Sequence, residues 1–356
     1  MNTYVEQSDD LCYNARTMNR ATLHKFIAHL LEAYAMYAPV RDGSELYVQR
    51  VTDIGEIDFS PQIPVNTFKH VLLPKRETLF DYKKGTMLKP KLQYAPECAF
   101  LMSVMDLKAV GLFHQTFERD PYYQKKRQTS LLVGHALFEG SGFSGHLRER
   151  YEEDILEHII FDIFLAKTGK AAWKVFTGSE KGQVILEELG IKDFEHIEFA
   201  GLLKEEGIDP ELERHRKEIV EASQDAWEHW GAICTACGKC AVDCPTCYCF
   251  NIEDEQDTKE KGSGRRVRKW TTCFYNDFSE IGGGQKFLKT NAQRIQNWYT
   301  HKWVRTPKEF QIMGCVNCGR CDRVCPVGIK RADVFKYLRE HKERGRTSTQ
   351  GQEKNR

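Results

Sequence analysis

No run of about 18 apolar residues occurs in the 356-residue chain, and its start, MNTYVEQSDDLCYNAR, has no basic stretch leading into an apolar one. Both absences argue against a membrane span or an export signal, and the expectation is a soluble, cytoplasmic protein. Charge of one sign is missing too. Lys and Arg total 52 against 51 Asp and Glu, a formal net charge of +1, which disfavours a globally basic nucleic-acid binder and a wholly acidic disordered chain. No general-base pair, nucleophile constellation or P-loop stands out, so catalysis by this chain alone is not expected. Cysteine is scarce before residue 200, where only Cys12 and Cys98 occur; the other eleven fall between Cys234 and Cys325. Secreted disulfide frameworks belong to short chains with little core, whereas 41% of these residues are hydrophobic. Such clustering in a long chain points to metal binding in a reducing compartment.

At this length two core-bearing units are the natural prior. From Thr22 to Tyr37, residues Leu23, Phe26, Ile27, Leu30, Leu31 and Tyr34 recur at helical spacing, with Pro39 just beyond. The segments 46–51, 98–104 and 130–133 read as strands, and 106–119 as a helix. Alternation at Phe161, Ile163 and Leu165, followed by Trp173 to Phe176, suggests a hairpin, and Ser179 is a good cap for the helix after it. Asp209-Pro210 is a strong helix start, with the helix running to about Trp230 and delivering the chain to Cys234. The expected fold class is α+β: a mixed α/β domain over 1–208 that serves subunit docking, a two-cluster bacterial ferredoxin-like domain with a long insertion over 209–340, and a disordered tail over 341–356.

One internal repeat carries the chemistry: CTACGKCAVDCP at 234–245 and CVNCGRCDRVCP at 315–326. Each is C-x2-C-x2-C-x3-C-P, the spacing in which three thiolates hold one 4Fe-4S cube and the fourth crosses to the other. Three thiolates on one tight loop reach three irons; the far corner needs a ligand from elsewhere in the fold. Hence Cys234, Cys237, Cys240 and Cys325 are expected to hold one cluster, and Cys315, Cys318, Cys321 and Cys244 the other. Gly238 and Gly319 follow each second cysteine, where a tight turn lets amides approach sulfur. Structural zinc also uses C-x-x-C pairs, yet it needs neither the third cysteine nor its duplicated copy. Cys247, Cys249 and Cys273, between the repeats, are candidates for a further metal or a third cluster, with a fourth ligand from Cys98, Cys12 or a partner; small buried thiols also pack as core residues.

Cys244-Pro-Thr-Cys-Tyr-Cys-Phe250, Trp270-Thr-Thr-Cys273, Gly282-Gly-Gly284 and Gly314-Cys-Val-Asn-Cys-Gly-Arg-Cys321 resemble the beta subunit of cytoplasmic NiFe sulfhydrogenases and the related A subunit of anaerobic sulfite reductase. The likeness continues through Ala38 to Gly43, Leu73 to Phe80, Asp106 to Ala109, Asp120 to Tyr123 and Gly178 to Gly182, covering most of residues 20–340. The resemblance implies a non-catalytic electron-transfer subunit of an oxidoreductase complex. Its partners would be a flavin subunit that handles NAD(P)H and the hydrogenase small and large subunits. An anaerobic sulfite reductase complex is the alternative, and an iron-sulfur nucleic-acid-binding protein is the alternative from another class. Many relatives have cysteines just before Asp106 and near 135–144, where this chain has Met105, His135 and Gly142-Phe-Ser144.

Weaker signals remain. Gly140-Ser-Gly-Phe-Ser-Gly145 matches G-x-G-x-x-G, without a convincing β-α-β unit around it. Lys259, Lys261, Arg265, Arg266, Arg268 and Lys269 form a basic run that reads as a solvated face or as a docking surface for an acidic partner; nucleic acid is disfavoured. Trp298, Tyr299, Trp303 and His301 are expected to pack the segment between the repeats or to line an electron path. Lys239 and Arg320 take matching places in the two loops, where a cation favours a reduced cluster.

Overall fold

The computed structural model describes residues 18–60, 62–88, 97–137, 153–169 and 171–341. The Gly140 to Gly145 motif, Cys12 and the tail after 341 lie outside them. In chain order the elements of the first half are β1 (Met18–Asn19), α1 (Arg20–Ala33), β2 (Ala35–Asp42), β3 (Glu45–Arg50), α2 (Lys69–Leu72), β4 (Arg76–Lys83), β5 (Thr86–Met87), β6 (Cys98–Ser103), α3 (Val104–Thr116), α4 (Pro121–Gln128), β7 (Ser130–Leu137), β8 (Ile163–Gly169), β9 (Ala172–Thr177), α5 (Glu180–Glu188) and β10 (Glu195–His196). The second half adds α6 (Pro210–Val220), α7 (Gln224–Ile233), α8 (Lys239–Val242), β11 (Phe250–Gln256), β12 (Gly264–Trp270), α9 (Asn291–Thr300), a π-helical turn (His301–Arg305), α10 (Thr306–Phe310) and α11 (Arg320–Val324). A further helix occupies 331–341.

Strands β2, β6, β7 and β8 are parallel neighbours at the centre of an eight-stranded sheet, whose path is β1-β9-β8-β7-β6-β2-β3 with β10 beside β9. A parallel sheet is covered on both faces, which is why Cys98 to Met102 and Leu131 to Val133 read as continuous apolar runs. Alternate residues supply the two cores. Phe100, Met102, Leu132 and Phe164 pack with α3 on one face; Ala99, Leu101, Leu131, Val133, Ile163 and Leu165 pack with α1 and α5 on the other. The mixed α/β expectation is met, and so are the β8–β9 hairpin and the Ser179 cap, which accepts from Gly182 N.

Two helix expectations needed correction. The first helix ends at Ala33, not Tyr37, and Pro39 lies inside β2; the apolar residues Met36 and Ala38 are spaced by two and face the second core, so strand pairing overrode the helical pattern. The helix from Pro210 is two helices, because Ser223 caps a new one through Ala226 N.

A second, antiparallel sheet has the order β11-β12-β4-β5. Strand β12 comes from the segment between the repeats and β4 from the first half, so this sheet ties the cysteine-bearing region to the α/β sheet. Arg268 on β12 is buried against Glu77 and Asp120 of the first half. A third core, of Trp227, Ile295, Trp298, Tyr299, Trp303 and Phe335, supports the cysteine loops from below.

Candidate metal centre

Both cysteine loops follow one backbone course. Cys234 caps the end of α7, its N–H donating to Trp230 O, and the loop then passes through left-handed conformations at Ala236 (φ 52°) and Gly238 (φ 75°) before turning into α8. The second loop repeats this at Asn317 (φ 58°) and Gly319 (φ 72°) before α11. At Gly238 a Cβ would also lie 2.8 Å from the Tyr275 ring; at Gly319 the backbone angle alone favours glycine. Ala236 pays about 1–2 kcal/mol for a left-handed conformation that asparagine and glycine adopt more easily. The tight course turns amides toward sulfur: Ala236 N donates to Cys234 Sγ at 3.4 Å and Ile329 N to Cys325 Sγ at 3.3 Å.

Cys234, Cys237 and Cys240 line a cavity of about 50 Å³ together with Cys321 and Cys325, both from the other repeat. Its walls include Phe274, Ile295, Trp298 and Tyr299, and Cys237 is exposed at its edge. Cys315, Cys318, Cys321 and Cys244 form the second group. Burial pushes the Cys318 thiol up to about 11, and the nearby Cys244 and Cys315 add to the rise; Cys321 is pushed up by burial, with Cys315 and Cys244 again contributing. A groove of about 270 Å³ lined by Arg214, His215, Asn317 and Arg331 opens onto Cys315. The cavity and the groove share Asp322 and Arg331 in their walls.

A third cavity, of about 20 Å³, is lined by Cys247, Cys249 and Cys273 with His301 and Lys302. Cys98 does not line it; it is buried on β6 in a core of the large sheet. Among the described residues no three His, Cys, Asp or Glu side chains are gathered to hold one metal ion; the cysteines ring cavities rather than converge on a point, which suits a multi-iron core better than tetrahedral zinc. Burial holds Cys240 well above the ordinary thiol range and pushes Cys273 up to about 12. As free thiols they are neutral, and metal binding must displace their protons.

Of the expected pair of cations, Arg320 lies beside a cysteine sulfur. Lys239 is exposed. Arg320 is fully buried, donating to both Asp106 oxygens at 2.7 and 2.9 Å and to Pro64 O at 2.8 Å, and its positive charge also acts to lower the Cys318 thiol. Two further cations that donate to cysteine sulfur were not singled out from the sequence: Lys302 Nζ reaches Cys244 Sγ at 3.2 Å, and Arg331 Nη1 reaches Cys315 Sγ at 3.1 Å. Both sulfurs belong to the second group. Arg331 is also paired with Asp322, whereas Lys302 gives its other protons to Thr246 Oγ1 at 2.8 Å and Gly314 O at 2.9 Å. Of the adjacent Cys244 and Cys247, Cys244 is held low by a hydrogen bond from Cys247 and by the Lys302 ammonium. The sequence signal for Lys302 was slight, because a π-helical turn sets where it points.

Three of the six residues of the basic run are ion-paired within the protein. Arg266 forms a two-pronged pair with Asp254 across the β11–β12 hairpin, Lys269 meets Glu253 and Glu255, and Arg268 is buried. Trp298, Tyr299 and Trp303 are core residues, and the first two also wall the first cavity, so packing and cavity lining coincide.

Residues 233–329 match the model of the 4Fe-4S dicluster domain. The chain is 25% identical over 335 residues, 89% of its own length and 96% of the relative's, to Sulfhydrogenase 2 subunit beta of Pyrococcus furiosus. With its eight repeat cysteines, the dicluster match assigns two 4Fe-4S clusters to the chain. No helix among the described residues is long and apolar enough to cross a membrane.

Proposed function

We propose that this hydrogenase beta subunit-like chain is the electron-relay subunit of a NiFe hydrogenase complex, passing electrons between a flavin subunit that handles NAD(P)H and the hydrogenase small and large subunits. The 4Fe-4S clusters supply one-electron chemistry in which added charge is spread over an iron-sulfur core. On this reading Cys234, Cys237, Cys240 and Cys325 ligate one cluster, and Cys315, Cys318, Cys321 and Cys244 the other. The protein's part is to hold these sulfurs, shield them from water and set the charge around them. Phe274, Ile295, Trp298 and Tyr299 keep the first cavity apolar, and Lys302 and Arg331 bring positive charge to the second group. Residues 1–208 serve as the docking domain, gripped to the cysteine region by Asp106–Arg320 and by the β4–β12 pairing.

The observation that carries a relay is the pair of surface openings: exposed Cys237 at the first cavity and the groove over Cys315 at the second group. A relay needs two ports, whereas a closed structural cluster needs none. The test is to purify the tagged chain without oxygen from its own cells, identify what accompanies it, and assay hydrogen-dependent NAD(P)+ reduction. Hydrogenase large and small subunits with a flavin subunit are expected. A siroheme sulfite reductase subunit in their place would move the chain to the sulfite reductase alternative; retention on DNA without these subunits would favour the nucleic-acid reading.

A further inference from the structure

The segment between the repeats builds a third cysteine site whose parts are distant in sequence. Cys249 stands directly before β11 and Cys273 shortly after β12. Phe250 is in register with Trp270, and Thr271 N donates to Cys249 O at 3.1 Å, so the hairpin closes residues 250–270 into a ribbon and returns Cys273 to Cys249. Strand β12 is further anchored on β4. Cys247 enters the same cavity from the chain leaving the first repeat, and His301 from the helix before the second. Neighbouring residues on an α-helix diverge by about 100°. The π-helical turn at 301–305 nonetheless puts both His301 and Lys302 on the cavity wall.

Charge is the second, independent observation. Lys302 is 4% exposed and Lys69 3%. Lys302 gives its three protons to Cys244 Sγ, Thr246 Oγ1 and Gly314 O; Lys69 gives its own to the carbonyls of Ala241, Val242 and Cys244. Hydrogen bonding is thus complete for both ammonium groups, yet none of these acceptors is a carboxylate. Burial, and the neighbouring Lys302, lower the Lys69 pKa, so holding both groups as cations calls for anionic charge close by. The thiols of Cys244 and Cys247 are the leading attractive neighbours of both.

We propose that Cys247, Cys249, Cys273 and His301 hold a third iron-sulfur cluster, with Lys302 and Lys69 as its buried countercharges. The inference rests on the relay reading and deepens it: three thiolates and one imidazole complete four corners, and imidazole ligation of iron-sulfur clusters is established chemistry. The site would lie between the two repeats, in contact with the Cys244 side of the second group.

The test uses the full-length chain, reconstituted without oxygen, with iron, acid-labile sulfide and EPR measured together. About twelve irons per chain are expected, falling to about eight in Cys249→Ser and in Cys273→Ser while two reduced 4Fe-4S signals persist. Those two signals report that the variants remain folded. His301→Cys should keep all twelve irons and lose the nitrogen hyperfine coupling that pulsed EPR detects in the parent. Eight irons in the parent protein, or twelve irons without nitrogen coupling, would overturn the proposal and leave the two-cluster relay standing. Fewer than eight irons would instead strike at the two-cluster relay itself.

Discussion

Lys302→Met removes one positive charge beside the second cysteine group and keeps the side chain's length and apolar stem. Nζ lies 3.2 Å from Cys244 Sγ, and the centre of a bound cube is several ångströms further on. At about 7 Å and an effective dielectric constant of about 20, one unit charge acts on an added electron with about 2.4 kcal/mol. For a one-electron couple a tenfold change is about 59 mV, so this converts to a fall of about 100 mV in the midpoint of the cluster bearing Cys244. Polar satisfaction survives the change, since Thr246 Oγ1 still donates to Gly314 O at 2.8 Å. The assay is an EPR-monitored redox titration of the reconstituted chain, parent against variant. The Cys234, Cys237, Cys240 and Cys325 group accepts hydrogen bonds from backbone amides of Ala236 and Ile329, and at about twice the distance its midpoint should fall by about half as much, on the order of 50 mV. Equal shifts of both clusters, or no shift in either, would refute the assignment of Lys302 to one of them.

Cys325→Ser should cost the cluster held by Cys234, Cys237 and Cys240, although Cys325 belongs to the other repeat; loss confined to the Cys315 group, read by EPR, would reject the crossed ligand set. Asp106→Ala leaves Arg320 buried at 0% exposure without its partner, and denaturant unfolding should show a loss of about 3–5 kcal/mol. A loss below about 1 kcal/mol would mean the guanidinium finds water or another partner. Gly231→Ala sets a Cβ 2.5 Å from the backbone nitrogen of Ala292, so α7 and α9 must move apart; a drop of about 1–3 kcal/mol in the same unfolding experiment is expected, and unchanged stability would show that the two helices separate freely.

Much of the fold was legible because its signals are local. Runs such as Cys98 to Met102 belong to central strands, and Ser179 and Asp209 cap the helices they were expected to cap. The β2 region was misread because Met36 and Ala38 sit at the end of a helical pattern that continues through Tyr34; only partner strands at β3 and β6 decide that this stretch is extended. Ser223 was an available cap inside an apparently continuous helix, and the backbone break at 221–223 made it the start of α7.

The repeat's cysteine spacing, its glycines and the duplication itself lie in the sequence, since the chemistry of a cluster loop is written within a dozen residues. What surrounds the sulfurs is not local. Arg320 is fixed beside Cys318 by Asp106, 214 positions away, and Lys302 and Arg331 approach the sulfurs through a π-helical turn and a separate helix. Likewise, Cys249 and Cys273 meet only because β11 pairs with β12 and β12 with β4. Ligand type is a property of residues and their spacing; charge at a buried sulfur depends on distance and burial, which arise only when the chain has closed on itself.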